Sequence, residues 1–249
     1  MTPRVIILAG QRPGPDALCD KFGVGSKADI PIAGIAMLDR VQTALEQADL
    51  LPPYTLSGYV GDRTGFTVAP HGVGPADSAL LAAQSGTLPA LVTSCDHALL
   101  TEEILRDFLD GAVKSEADFA VGLVTSKTVM NKYPEQKCTY WKFQDVSVSG
   151  TDLFYIANEK GLRVIEFWRQ MQHLRRQPLK IVRRVGVGMT IRYVLGQLSL
   201  RQALAYAGKN VGASIAPVIL EQAEAAIDAD NLADFAVIEK ILTENPSYS

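Results

Sequence analysis

The sequence predicts an α/β fold, a three-layer α/β/α sandwich around a mostly parallel central sheet. Three observations predict it. Short continuous apolar runs, such as RVIIL from Arg4 and DFAVGLV ahead of Thr125, read as strands buried on both faces, the mark of a parallel sheet. Segments of helical spacing alternate with these runs along most of the chain. With 47% apolar residues in a length of 249, the chain can bury a core of the size such a sandwich needs.

Each element can be justified in order. RVIIL opens the sheet, and Gly10 follows it directly. From Ala9 to about Gly34 the chain carries Gly and Pro without period and reads as one long loop; a loop of that length in a compact domain is usually functional, here a substrate loop or a structural lid. MLDRVQTALEQA places Met37, Val41, Ala44 and Leu45 on one helical face. TLSGYV and FTVA are the next two short strands. Pro75 to Gln84 is a helix, with Asp77 or Ser78 placed to cap it. PALVTS is a strand that runs out into Asp96 and His97. Thr101 caps TEEILRDFLDGAV, whose Glu102 and Glu103 favour the first turn through the helix dipole.

DFAVGLV, TYWKF and DLFYIA read as three further strands. Between Gly161 and Gly208 the pattern is helical: Leu162, Ile165, Trp168 and Met171 share a face, and Ser199 with Gln202 forms a capping box. SIAPVIL returns to strand, and Asn231 starts a final helix, LADFAVIEKIL. The chain therefore reads as a single domain over residues 1–249, with a basic helical insertion at about 160–210.

A net charge of -3 implies no overall affinity for nucleic acid or anionic lipid. The average hides a split: residues 160 to 210 hold eleven Lys or Arg and one acid, Glu166, which leaves 13 cations against 26 acids elsewhere. The insertion interleaves cations with apolar residues in WRQMQHLRRQPLKIVRRVGVGMTIRYVL, an amphipathic surface. Three readings fit it: a lid whose arginines hold an anionic acceptor, a face leaning on anionic membrane, and a homodimer contact with solvated basic edges. Nucleic acid fits poorly, because no aromatic stacking platform accompanies the charge. Cys19, Cys95 and Cys138 are odd in number, widely spaced and without a CxxC pair, so neither a disulfide framework nor a zinc site is expected, and the setting is reducing and cytoplasmic. The apolar run before Gly10 is too short for a signal-peptide core, and no stretch reaches the roughly 18 apolar residues of a spanning helix.

An open parallel sheet binds ligands outside the carboxyl ends of its strands, so Asp96 stands where a carboxylate can hold a metal and a phosphate. The plainer alternative is a strand that has simply run out of core. Gly10, lacking Cβ, lets main-chain N–H groups approach phosphate. Two familiar nucleotide motifs are absent. GxGxxG would have to open a helix at once, and no GxxxxGK[ST] string occurs.

LAGQR near the amino terminus, Lys27 before IPIAGIAMLDRVQTAL, the Asp96 strand end and IDADNLADFAVIE together resemble the MobA-like nucleotidyltransferases. That group includes molybdenum-cofactor guanylyltransferases, cytidylyltransferases of isoprenoid synthesis and sugar-1-phosphate nucleotidyltransferases. The resemblance spans about residues 4 to 125 and 214 to 243 and leaves the basic insertion outside. It implies a Rossmann-like sheet of the nucleotide-diphospho-sugar transferase type. The implied reaction joins a nucleoside triphosphate to a phosphorylated small-molecule acceptor and releases pyrophosphate. Lys27 and Arg12 would offset the triphosphate charge, Leu8, Ala9 and Gly10 would wrap it, and Asp96 with Asp230 would hold Mg²⁺, Asp228 being the competing choice for the second ligand. Asp77 and Ser78 lie where such enzymes recognise the base, and the ADS string is closer to the CTP than to the GTP enzymes. His97 is read as a supporting or surface residue rather than a ligand.

Departures from the pattern bear on the substrate. GQRPGPD replaces the usual GxGxR loop, and Ile35, Ala36 and Met37 stand where RPM is usual. They leave open a catalytically silent nucleotide-binding or membrane-peripheral protein that uses the basic insertion as its working surface. A glycosyltransferase using a nucleotide-sugar would share the sheet and the strand-end carboxylate, but the loop from LAG to Lys27 suits a triphosphate better.

Overall fold

The computed structural model describes residues 2–10, 14, 16–174 and 186–245, with side chains up to 172 in the second long stretch. Arg12 and the part of the basic insertion at 175–185 lie outside the described residues.

The central sheet forms around β1 (Arg4–Leu8), whose three middle residues are buried. It runs parallel to β6 (Ala90–Ser94) on one side and to β4 (Tyr54–Ser57) on the other, and β4 pairs in parallel with β5 (Phe66–Ala69). Beyond β6 lies β9 (Ser147–Ile156), antiparallel to β6 and to the next strand, β7 (Phe119–Thr125); β10 (Ile215–Leu220) closes that edge parallel to β7. The order is β10-β7-β9-β6-β1-β4-β5, with the short β8 (Trp141–Lys142) beside β9. The expected three-layer, mostly parallel sandwich is what the chain forms.

Alternation along β1 assigns the layers. Val5 and Ile7 join the core cluster that includes Leu38, Val41 and Leu45 of α2 (Met37–Gln47) and Ile104, Leu105 and Phe108 of α4 (Glu102–Lys114). Ile6 points the other way, into a cluster with Leu80 of α3 (Pro75–Gln84) and Val164 and Ile165 of α6 (Glu159–Leu174). Side chains of period two on one strand thus bind helices to both faces. α7 (Val187–Val194) and α8 (Leu200–Val211) follow α6, and α8 packs on β10. No described helix is long and apolar enough to cross a membrane.

Caps account for several helix starts. Thr101 Oγ1 accepts from the Ile104 N–H at 3.3 Å, and Ser199 and Gln202 complete both halves of the capping box. Asn231 Oδ1 accepts from the Ala233 and Asp234 N–H groups at the start of α9 (Leu232–Glu244). The cap expected from Asp77 or Ser78 does not form: Gly74 is the N-cap of α3 and brings no side-chain hydrogen bond, and Pro75 fills the first turn, where a missing N–H costs nothing.

The stretch from Ala9 to Gly34, expected as irregular loop, is partly organised. Asp16 caps α1 (Ala17–Phe22), Ser26 caps a 3₁₀ turn at Lys27–Asp29, and β2 (Pro31–Ile32) pairs with β3 (Ile35–Ala36). These short pieces stand on their own apolar cluster, in which Leu18, Ile30 and Ile32 meet Leu99, Ile227 and the α9 residues Phe235 and Ile238. Strand limits also move: β4 stops at Ser57, only Trp141 and Lys142 of TYWKF pair, and β9 starts ahead of DLFYIA. The helix α5 (Ser126–Lys132), capped by Thr125, follows β7 without any loop and has no counterpart among the expected elements.

Phe108 is fully buried between α4 and the sheet. Phe108→Ala is expected to lower unfolding free energy by about 3–5 kcal/mol, measured by denaturant titration, because a ring-sized cavity there cannot collapse against the strands.

Candidate functional site

The parallel strands β1, β4 and β6 deliver their carboxyl ends to one rim, and short hydrogen bonds carry the alignment past the strands themselves. The Ala9 N–H donates to the Ser57 carbonyl at 2.8 Å, and the Cys95 N–H donates to the Leu8 carbonyl at 2.9 Å. At this rim Gly58 has φ +86, and a Cβ on it would sit 2.5 Å from the Gly10 Cα, so the approach of the two loops requires glycine at 58. Leu8, Ala9 and Gly10 line the cleft that opens there.

Asp96 follows β6, and its carbonyl accepts from the Ala229 N–H at 3.1 Å, tying the strand end to the segment before α9. The Ser26 cap and its 3₁₀ turn bring Lys27 to the same point. Lys27 Nζ donates to the Ala229 carbonyl at 2.9 Å, to Asp96 Oδ2 at 3.3 Å and to Asp230 Oδ1 at 3.4 Å. Lys27 and Asp96 side chains are 17% and 16% exposed, whereas that of Asp230 is 50% exposed. The pair with Asp96 is accordingly the stronger one, since solvent screens the other.

The electrostatics are those of excess negative charge. Burial pulls the Lys27 ammonium down, but Asp96 and Asp230 outweigh it and hold its pKa above the ordinary value. Asp228 is pushed up to about 8, first by burial and then by the neighbouring Asp96, Asp152 and Asp230. Asp152 reaches this group from β9, where its φ of +50 breaks the strand geometry and the register against β7 shifts between Val121 and Leu123. A bulge of this kind re-aims side chains next to functional sites. Asp152 is absent from the residues expected here: within SGTDLFYI it follows the polar Ser149 and Thr151 at the head of an apolar run, and nothing in its spacing connects it with Asp96.

Two clefts of about 360 Å³ each meet at this acidic wall and share Asp152, Asp228 and Asp230. The first runs from Gly10, Lys27 and Asp96 to the loop Gly72–Gly74 and Ser78. The second is lined by His97, Lys137, Trp141 and Thr151. His97 is 1% exposed with neither ring nitrogen hydrogen-bonded, and burial lowers its pKa to about 4, so the imidazole is neutral near pH 7. It is a buried wall of the second cleft rather than a surface residue.

Of the two residues expected at the base, Ser78 lines the first cleft and Asp77 does not, and both are engaged within the protein. Ser78 is buried and its Oγ accepts from the Gly72 N–H at 3.1 Å, while Asp77 faces Arg169 of α6 at 3.7 Å. A Cβ on Gly72 would lie 2.1 Å from the Asp77 Cβ, so the loop closes tightly over the helix start.

The carboxylates Asp96, Asp152, Asp228 and Asp230 at the junction of the clefts are oxygen donors of the kind a hard divalent cation such as Mg²⁺ prefers. Among the described residues no three ligating side chains form a ready cage. Mg²⁺ is characteristically held by one or two carboxylates together with substrate phosphates, which agrees with that geometry.

The sheet order, with one antiparallel strand between β7 and β6, is a fold that this chain shares with solved structures. Three solved structures carry the likeness. A hypothetical transferase from Thermus thermophilus superposes with a TM-score of 0.80 at 29% identity, covering 94% of this chain and 100% of that one. The 2-C-methyl-D-erythritol 4-phosphate cytidylyltransferase of Thermus thermophilus gives 0.56 at 14% identity over 98% and 100% of the two chains. Molybdopterin-guanine dinucleotide biosynthesis protein A of Archaeoglobus fulgidus gives 0.55 at 13% over 97% and 100%. No protein-family model and no curated protein matches the sequence.

Asp228 and His97 act on stability in opposite directions as pH changes. A carboxyl whose folded pKa is raised binds its proton more tightly when folded, so the stability Asp228 contributes is complete below its unfolded value near 4 and is lost as pH rises towards about 8. His97, depressed to about 4, costs stability as pH falls from about 6.5 towards that value. In chelator, Asp228→Asn is expected to melt higher than the parent protein at pH 8, with the gap closing towards pH 4. Differential scanning calorimetry across that range checks it, and a gap that widens on acidification contradicts the assignment.

Proposed function

We propose that the protein is a Mg²⁺-dependent nucleotidyltransferase that moves an NMP group from a nucleoside triphosphate, CTP in preference to GTP, to a phosphorylated small-molecule acceptor and releases pyrophosphate. The observation that carries this reading is the seating of Lys27 between Asp96 and Asp230 at the rim of a cleft that leads to the Gly72–Ser78 loop. Support also comes from the neighbours, whose names include a cytidylyltransferase and a molybdopterin-guanine dinucleotide biosynthesis protein.

The reaction joins two anions, so charge neutralisation and alignment are what the protein must supply. An acceptor phosphate oxygen attacks the α-phosphorus in line; the new P–O bond forms as the bond to the β-phosphate oxygen breaks, and pyrophosphate leaves with that electron pair. The Lys27 ammonium offsets phosphate charge, the Gly10 backbone allows close approach, and Arg12 is the expected second cation. Asp96 and Asp230 would hold Mg²⁺, which neutralises phosphate charge when bound. The second cleft seats the acceptor across the acidic wall, where neutral His97 and the buried Thr151 hydroxyl offer uncharged hydrogen-bonding partners.

Asp96→Ala is expected to cut metal-dependent pyrophosphate release by at least about 10²-fold with an unchanged circular dichroism spectrum. Turnover equal to that of the parent protein removes Asp96 from the mechanism. A panel of CTP, GTP, ATP and UTP with Mg²⁺ should raise the melting temperature most for CTP, since a ligand bound only by the native state stabilises it.

One observation favours a second reading, the catalytically silent membrane-peripheral protein. Val187, Ile191, Val194 and Leu195 of α7 and its end are each more than half exposed, and they lie in the chain's most basic region. Co-sedimentation with anionic liposomes, expected to be salt-sensitive on this reading, tests it; a protein that stays in the supernatant at low salt excludes it.

A further inference from the structure

We infer that Trp168 of α6, backed by Phe154 of β9, is the stacking wall for the heterocycle of the nucleoside triphosphate. The inference rests on the nucleotidyltransferase reading and adds a residue from outside the sequence resemblance. Both rings line the first cleft, with centroids 5.2 Å apart and planes tilted by 38°. Their inner sides pack on the core cluster around α3 and α6, which fixes the pair, and both remain only partly buried.

The surroundings are those of a polar ligand rather than of core. Thr93 and Ser94 are 0% and 8% exposed and line the same cleft, yet neither hydroxyl has a hydrogen-bond partner in the protein. A buried hydroxyl without a partner is costly, and a ligand with polar edges would satisfy both. A nucleobase combines such edges with a π-face, and the triphosphate that follows it would lead towards Lys27.

α6 is held against the base loop at two further points. Gln172 Oε1 accepts from the Ala76 N–H at 3.3 Å, and Arg169 faces Asp77 at 3.7 Å. The first part of the basic block is therefore built into the nucleotide cleft. Stacking is indifferent to base identity, because every base has a π-face. Trp168 accordingly supplies affinity, while selection among bases falls to the Gly72–Gly74 loop and the hydroxyls.

The chain has two tryptophans, and Trp141 lines the second cleft, so Trp141→Phe leaves Trp168 as the only indole emitter. CTP with Mg²⁺ is expected to quench that emission, and Trp168→Ala to weaken CTP and GTP binding alike by about tenfold in equilibrium dialysis, with Trp168→Phe retaining most of the affinity. If Trp168→Ala does not fold, Trp168→Leu takes its place. Dialysis showing nucleotide bound by the parent protein, with Trp168 emission unchanged and Trp168→Ala binding equally well, overturns the inference and leaves the nucleotidyltransferase reading standing. No nucleotide bound by the parent protein overturns both.

Discussion

One largely buried ammonium organises this end of the molecule. Lys27 bonds to partners 69, 202 and 203 residues away, and so joins the organised first loop, the end of β6 and the approach to α9. Removing a buried cation of this kind leaves Asp96 uncompensated, which costs more than the pair itself contributes. The Ala229 carbonyl and N–H bind Lys27 and Asp96 respectively, so backbone as well as charge fixes the geometry.

The same spot carries more negative charge than one lysine can balance. Four carboxylates gather from β9, the β6 end and the segment before α9, and the structure accommodates them by leaving Asp228 protonated near neutrality. Functional sites are where folds tolerate such crowding, because the ligand supplies the missing charge. The wall also separates two clefts of equal size, the first lined by Lys27, Trp168 and the Gly72–Gly74 loop, the second by Lys137, Trp141 and the uncharged His97.

Most of the fold was legible because parallel strands buried on both faces leave unbroken apolar runs, and because caps such as Thr101, Ser199 and Asn231 are local signals. Lys27, Asp96 and Asp230 were legible through motif order, and they converge; Arg12 lies outside the described residues. What escaped depends on tertiary contacts. Asp152 arrives through a bulge, whose register shift has no signature in the run SGTDLFYI. α1 and the 3₁₀ turn are too short to show periodicity; α1 persists by standing on α9, and the turn by burying Ala28 in the cluster with α2. Ser78 carried a local signal for a cap, but Pro75 pre-empted the helix start and the hydroxyl was left to clamp Gly72.

The apolar cluster joining α1, β2 and α9 has a consequence for assembly. Closing a contact across two hundred residues is entropically expensive and comes late, after the locally connected strands and helices have condensed. On a ribosome the sheet around β1, β4 and β6 can form while Lys27 still hangs loose. Only when Ala229 and the helix beyond it have emerged does that side chain find its seat, so this corner of the rim is among the last parts of the newborn chain to settle.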